Sequence, residues 1–103
     1  MAAENANPPE IDKLIHEPAR LLLMAHLYVV EKADFTYLMH QTGLTWGNLS
    51  SHMSKLEEGG YIEVIKSFQD KRPNTMLALT KQGRAAFQEY RHQMLDMLNS
   101  IPE

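Results

Sequence analysis

The apolar residues of this chain recur every three to four positions over most of its length, which is the spacing of amphipathic helices. From this spacing we predict helices over residues 11–16, 18–31, 35–41, 46–58 and 81–101. The pattern changes after residue 60, where β-branched and aromatic residues fill two runs, 61–68 and 75–79, on either side of the turn-forming residues 69–74. The chain is therefore predicted to be mainly α, with a small β-hairpin before its last helix.

The residues at the predicted helix ends support these boundaries. Pro18 suits the first turn of a helix, where its missing N–H is not needed. Asp34, Thr45 and Thr80 are placed to cap helix N-termini, and Gly43 is placed to end a helix in the left-handed conformation. Helices followed by a hairpin and a last helix are the order of a winged helix-turn-helix domain.

Length and composition fit one domain with a modest core. We assign the winged-helix domain to residues 11–103, and we expect residues 1–10, which are small and polar and include Pro8 and Pro9, to form a disordered tail. The apolar runs are too short to cross a bilayer, and the polar start of the chain is not typical of a signal peptide, so we expect no membrane association and a cytoplasmic location. The sequence contains no cysteine, which excludes disulfides and thiolate metal sites.

The predicted helix over residues 46–58 has an unusual polar face. Leu49, Met53 and Leu56 share one apolar stripe. The opposite side carries small, neutral groups and one cation: Gly47, Asn48, Ser50, Ser51, Ser54 and Lys55. Glycine and serine inside a helix cost up to about 1 kcal/mol each relative to alanine, so a purely solvated face is the less favoured interpretation. With no acidic residue between positions 45 and 56, this face can lie against a polyanion, and the major groove of DNA is the first candidate.

The residues that we expect to contact DNA lie on this helix, at its N-cap and at the hairpin tip: Thr45, Trp46, Gly47, Asn48, Ser50, Ser51, Lys55, Lys71 and Arg72. Packing against the preceding turn is as good an interpretation of Trp46 as DNA contact. The alternative for Lys71 and Arg72 is a solvated tip, but Pro73 should stiffen the tip and favour phosphate contact.

Several of these motifs resemble the MarR/ArsR-like winged-helix transcriptional regulators, in particular residues 16–20, 43–45, 47–52, 55–57, 60–62, 71–75 and 79–84. The resemblance covers about residues 15–90. It implies a homodimeric DNA-binding regulator, usually a repressor. In such a regulator helix 46–58 enters the major groove, while the hairpin, called the wing, touches the adjacent backbone or minor groove. The chain departs from the group in its few wing cations and in lacking cysteine ligands for metal sensing.

An apolar stripe at helical spacing continues to the end of the chain, further than one small core can cover. We therefore predict a homodimer built from the N-terminal and C-terminal helices. The predicted interface residues are Ile11, Leu14, Ile15, Phe87, Tyr90, Met94, Leu98 and Ile101.

No motif points to catalysis. The chain shows no nucleophile motif, phosphate-binding glycine loop or paired carboxylates, and its histidines lack ligand spacing, so we expect no enzyme activity, metal or cofactor. His52 is expected to be a packed, hydrogen-bonded side chain. The net charge of −3 weakens the case for nucleic acid, which leaves a winged-helix protein-interaction module as the alternative. The expected partner is double-stranded DNA with an inverted-repeat operator, and the sequence does not indicate an effector.

Overall fold

Four helices and a three-stranded antiparallel sheet make up residues 10–103, the part of the chain that the computed structural model describes. In chain order the elements are α1 (Pro18–Val30), β1 (Lys32–Asp34), α2 (Phe35–Thr42), α3 (Trp46–Glu58), β2 (Ile62–Gln69), β3 (Arg72–Leu79) and α4 (Lys81–Asn99). The predicted winged helix-turn-helix fold is confirmed. The predicted tail lies outside the described residues except for Glu10.

The predicted helix caps are confirmed. Asp34, Thr45 and Thr80 each accept, through a side-chain oxygen, the backbone N–H three residues further on, at 2.9–3.2 Å. Gly43 ends α2 with a φ of 72°, a left-handed conformation that glycine adopts without steric cost. Pro18 occupies the first turn of α1. The short turn between α2 and α3 is therefore fixed on both sides by its own residues.

The predicted helix over residues 11–16 is wrong. Asp12 Oδ1 accepts from the N–H groups of Leu14 and Ile15 at 2.9 and 3.2 Å, which closes a turn in place of a helix. Proline also disfavours helical geometry in the residue before it, so a helix could not run directly into Pro18. We call residues 11–17 the N-terminal strap, because they lie across α3 and α4 without regular structure.

The sheet has the order β1-β3-β2 and is larger than predicted. β1, which pairs with the C-terminal half of β3, is only three residues long and gives too short a pattern to be read from the sequence. The predicted turn over residues 69–74 is also wrong, since β2 and β3 pair as far as Gln69 and Arg72. Asp70 and Lys71 alone form the turn, with φ values of 50° and 65°, as a two-residue hairpin turn of type I′ requires.

The core lies between the helices and the inner face of the sheet. Its fully buried side chains are Ile15, Leu23, Met24, Leu27, Leu38, Leu49, Leu56 and Leu77. Helix α4 packs along α1, where the rings of Phe87 and Tyr28 lie 5.1 Å apart. Beyond Tyr90, the last residue of α4 in the core, Leu98 and Ile101 are exposed.

Candidate nucleic-acid interface

The packing of α3 decides which of its faces meets solvent. Leu49, Met53 and Leu56 are buried in the core, as the sequence predicts. The polar residues on the other side are exposed, with the exception of half-buried Ser50: Thr45, Gly47, Asn48, Ser51, Ser54 and Lys55. Helix α3 therefore presents an exposed surface of small hydrogen-bonding groups.

The N-terminus of α3 favours an anion. Thr45 Oγ1 satisfies the N–H of Asn48 at 3.2 Å, but the N–H groups of a helix's first turn have no partners inside the helix. The first turn contains no acidic residue, so nothing offsets the partial positive charge of the helix dipole there. A phosphate placed at this end would meet both N–H donors and a favourable field.

Trp46, the first residue of α3, combines the two interpretations that its sequence position allows. Its ring centroid lies 6.0 Å from that of Phe35, at an interplanar angle of 56°, so one side of the indole packs against the start of α2. The side chain is nevertheless 67% exposed. The contact holds the indole in place while most of its surface stays accessible.

A cleft of about 170 Å³ separates α3 from the hairpin, and it contains a cation that the sequence analysis did not assign to the site. Lys66 and Thr75, a cross-strand pair of β2 and β3, face Trp46 and Ser50 across this cleft. The period of two along β2 could have identified Lys66, because Ile62 is a core residue and alternate positions share a face.

The wing cations lie further out. Lys71 is in the two-residue turn and Arg72 is the first residue of β3, and both are exposed. Asp70, the first residue of the turn, is four residues after Lys66, which at about 3.3 Å per residue places the tip roughly 13 Å beyond Lys66. Arg72 pairs with Gln69, one step from the pair Phe68 and Pro73, so Arg72 lies on the sheet face opposite to Lys66. Pro73 belongs to β3 and lies outside the two-residue turn.

The N-terminal strap holds the junction between α3 and β2. The Tyr61 hydroxyl donates to the Asp12 carboxylate. Burial, together with this hydrogen bond and the negative charge of Asp12, raises the pKa of Tyr61 to about 12. Leu14 lies so close to Gly59, the C-cap of α3, that a Cβ at position 59 would stand 2.2 Å from Leu14 Cδ2. The strap therefore fixes the C-terminal end of the exposed helix.

The described residues offer little for other chemistry. Between residues 10 and 103 no group of three or more histidine, aspartate or glutamate side chains could hold a metal ion. In the same range no helix has the length and hydropathy needed to cross a membrane.

The predicted dimer residues are divided between core and surface. Ile15, Phe87 and Tyr90 are buried within the single chain, so a second subunit cannot rest on them directly. Ile11, Leu14 and Met94 are half-buried, and Leu98 and Ile101 are exposed. The surface open to a partner is therefore centred on the last turns of α4.

A helix-turn-helix with an exposed second helix, followed by a two-stranded wing, defines the winged-helix class of DNA-binding domains. The family described as winged helix DNA-binding domain matches residues 19–98. The chain belongs to this family, and its family and fold are those of DNA-binding transcriptional regulators rather than enzymes.

Individual proteins show the same likeness. An uncharacterized protein of Methanocaldococcus jannaschii is 37% identical over 89 residues, which cover 86% of this chain and 97% of that protein. The structure of a transcriptional regulator homologue from Pyrococcus horikoshii OT3 is similar, with a TM-score of 0.80 and 29% identity over 84% of this chain and 85% of that one. AbfR bound to DNA shares the fold, with a TM-score of 0.71 and 17% identity over 81% of this chain and 60% of that one. The resemblance to MarR/ArsR-like regulators is confirmed.

Proposed function

We propose that the protein is a sequence-specific transcriptional regulator that binds operator DNA as a homodimer and represses transcription. The observation that carries the proposal is the exposed face of α3, which combines small hydrogen-bonding groups with the absence of any carboxylate before Glu57. Such a face fits the floor of the major groove, where side-chain donors and acceptors read base edges.

The residues of the site have different tasks in this proposal. Asn48, Ser50 and Ser51 contact base edges, and Gly47 allows the helix to approach the DNA closely. Lys55 and Lys66 bind phosphates on either side of the groove. Trp46, held by Phe35, packs against the sugar-phosphate backbone.

The wing supplies affinity. Lys71 and Arg72 are exposed cations at a hairpin tip, well placed for phosphates and poorly placed for base edges. Phosphate contacts set the position of a protein on DNA without carrying sequence information directly.

The apolar end of α4 supports the proposed dimer. Leu95, Leu98 and Ile101 are 41%, 55% and 59% exposed, and Met94 and Met97 beside them are half-buried. A second copy would cover this surface, and a two-fold axis would present two α3 helices to DNA. The operator should then contain inverted half-sites about one helical turn, roughly 10 bp, apart. A dimer that covers a promoter blocks the polymerase without any further surface, which favours repression.

The experiment is a salt titration of binding to two duplexes, one selected by the protein from a random pool and one of random sequence. For the parent we expect tighter binding to the selected duplex and a steep loss of affinity with salt. For Lys71→Ala with Arg72→Ala we expect weaker binding to both duplexes and a salt slope lower by about one to two units per subunit.

The rival function is a protein-interaction module, which the net charge of −3 favours. If the parent protein enriches no duplex from the pool and does not bind the random duplex at low salt, the rival is supported and the regulator is excluded. If the slopes of parent and double variant coincide, the wing tip does not contact phosphate and α3 acts alone.

A further inference from the structure

Arg20, in the first turns of α1, makes two directed hydrogen bonds that leave its own helix. Its Nε donates to the backbone carbonyl of Leu14 in the N-terminal strap at 2.5 Å. Its Nη1 lies 3.1 Å from Nδ1 of His52 on α3. The guanidinium therefore joins the strap to the exposed helix through one rigid, planar group.

The contact with His52 defines the state of the imidazole. Arginine nitrogens can only donate, so Nδ1 must accept and the imidazole hydrogen must lie on Nε2. Glu17 completes the group: Oε1 accepts from the Arg20 backbone N–H at 2.8 Å and lies 3.9 Å from His52 Nδ1. The side chains of Glu17, Arg20 and His52 all lie off the exposed face of α3. The His52 side chain is only 18% exposed.

His52 is well placed to control the rotation of α3 about its own axis. It follows Ser51 of the exposed face directly and precedes Met53 of the core. Leu49 and Leu56, which hold the helix against the core, are non-directional apolar contacts, and they tolerate small rotations. A hydrogen bond to a fixed guanidinium does not, because it weakens steeply away from linear geometry.

We propose that Arg20 is a positioning residue for DNA recognition: acting through His52, it holds the rotation of α3 at which the face around Ser51 meets base edges. The proposal rests on the DNA-binding function proposed above. Arg20 itself does not contact DNA. The hydrogen bond from Arg20 Nε to the Leu14 carbonyl holds the guanidinium in the orientation from which Nη1 donates to His52.

This role predicts which substitutions matter. Lysine keeps the charge of Arg20 but has no planar fork, so it cannot serve Leu14 and His52 together. His52→Asn keeps an acceptor near the position of Nδ1, whereas His52→Leu has a similar volume and no acceptor. Arg84→Lys is the matched control, because Arg84 is a partly buried arginine that bonds Glu31, the C-cap of α1, at 3.2 Å.

The test measures affinity for a duplex selected by the parent from a random pool and for a random duplex, with the thermal unfolding midpoint of each variant. We expect Arg20→Lys and His52→Leu each to weaken binding to the selected duplex about tenfold, the scale of one lost hydrogen bond to a charged group. Binding to the random duplex should be unchanged, since the phosphate contacts remain. The variant that combines Arg20→Lys with His52→Leu should bind no more weakly than Arg20→Lys alone. His52→Asn should recover most of the affinity that His52→Leu loses.

Any other result overturns either the proposed function or the role proposed for Arg20. A parent that enriches no duplex from the pool and does not bind the random duplex overturns the proposed function and this inference with it. A parent that binds while Arg20→Lys and His52→Leu match it overturns the inference alone. Loss in Arg20→Lys with a silent His52→Leu would mean that Arg20 contacts DNA itself. A loss in His52→Asn as large as in His52→Leu, or a loss that follows the unfolding midpoint, would mean that packing at position 52 matters and the hydrogen bond does not.

Discussion

Gly83 lies directly against the backbone carbonyl of Tyr61, so that a Cβ built at position 83 would stand 2.1 Å from that oxygen. The N–H of Thr80 donates to the same carbonyl at 3.1 Å. The first turn of α4 and the residue before the wing therefore share one backbone junction, which sets the wing relative to the helices.

Replacing Gly83 with alanine should destabilise the protein. Both sides of the contact are backbone, so neither can move aside as a flexible side chain would. We expect the free energy of unfolding to fall by about 1–3 kcal/mol, the usual range for overpacking. Chemical denaturation measures this change, and an unaltered midpoint would show that the junction is looser than the structure describes.

Gly47→Ala is expected to separate stability from binding. A Cβ at position 47 would have no neighbouring atom within 4 Å, and alanine is the better helix former. The variant should therefore gain up to about 1 kcal/mol of stability, yet bind its selected duplex more weakly, because the methyl group would stand between α3 and the groove. Unchanged or improved affinity would remove Gly47 from the interface.

The apolar end of α4 should determine the oligomeric state. We expect Leu98→Glu with Ile101→Glu to have the monomer mass in light scattering at micromolar concentration, where the parent has the dimer mass. Phe68→Glu is the control, since Phe68 is 76% exposed but lies on the wing. A parent of monomer mass, or a double variant that still dimerises, would place the interface elsewhere or remove it.

Glu17 should contribute to stability in a pH-dependent way. The hydrogen bond from the Arg20 N–H holds the pKa of Glu17 below its ordinary value of 4.5, and burial of the carboxylate opposes this shift. A carboxylate with a lowered folded-state pKa stabilises the protein above its unfolded pKa, and this contribution is lost as pH falls through the folded value. The free energy of unfolding should therefore fall less steeply below about pH 5 in Glu17→Gln than in the parent. Parallel profiles would show that the ionisation of Glu17, the N-cap of α1, does not contribute to stability.

The sequence predicted the features whose causes are local. Asp34, Gly43 and Thr45 act within four residues of their own position, so the caps and the turn before α3 could be read directly. The buried and exposed sides of α3 followed from its helical period. The residues predicted in this way to contact DNA are accessible, with half-buried Ser50 the least so.

The features that were missed depend on distant partners. β1 exists because β3 supplies a ladder 44 positions away, where Ala33 faces Leu77. The strap is held by Tyr61, by Gly59 and through Arg20, and none of these contacts leaves a periodic signal. Arg20 and His52 are 32 positions apart. The separation of Ile15, Phe87 and Tyr90 from the exposed part of the dimer stripe likewise required the packed chain.

The central claim is that the exposed face of α3 reads DNA, and the most direct measurement is the affinity of Ser51→Glu for the duplex selected by the parent. Ser51 is exposed on that face, and a carboxylate there would oppose the acceptors and phosphates of the groove. Ala85→Glu, which adds the same charge at an exposed position on α4, is the control. We expect Ser51→Glu to lose binding while both variants unfold at the temperature of the parent. Ser51→Glu binding as tightly as Ala85→Glu would contradict the assignment of this face to DNA.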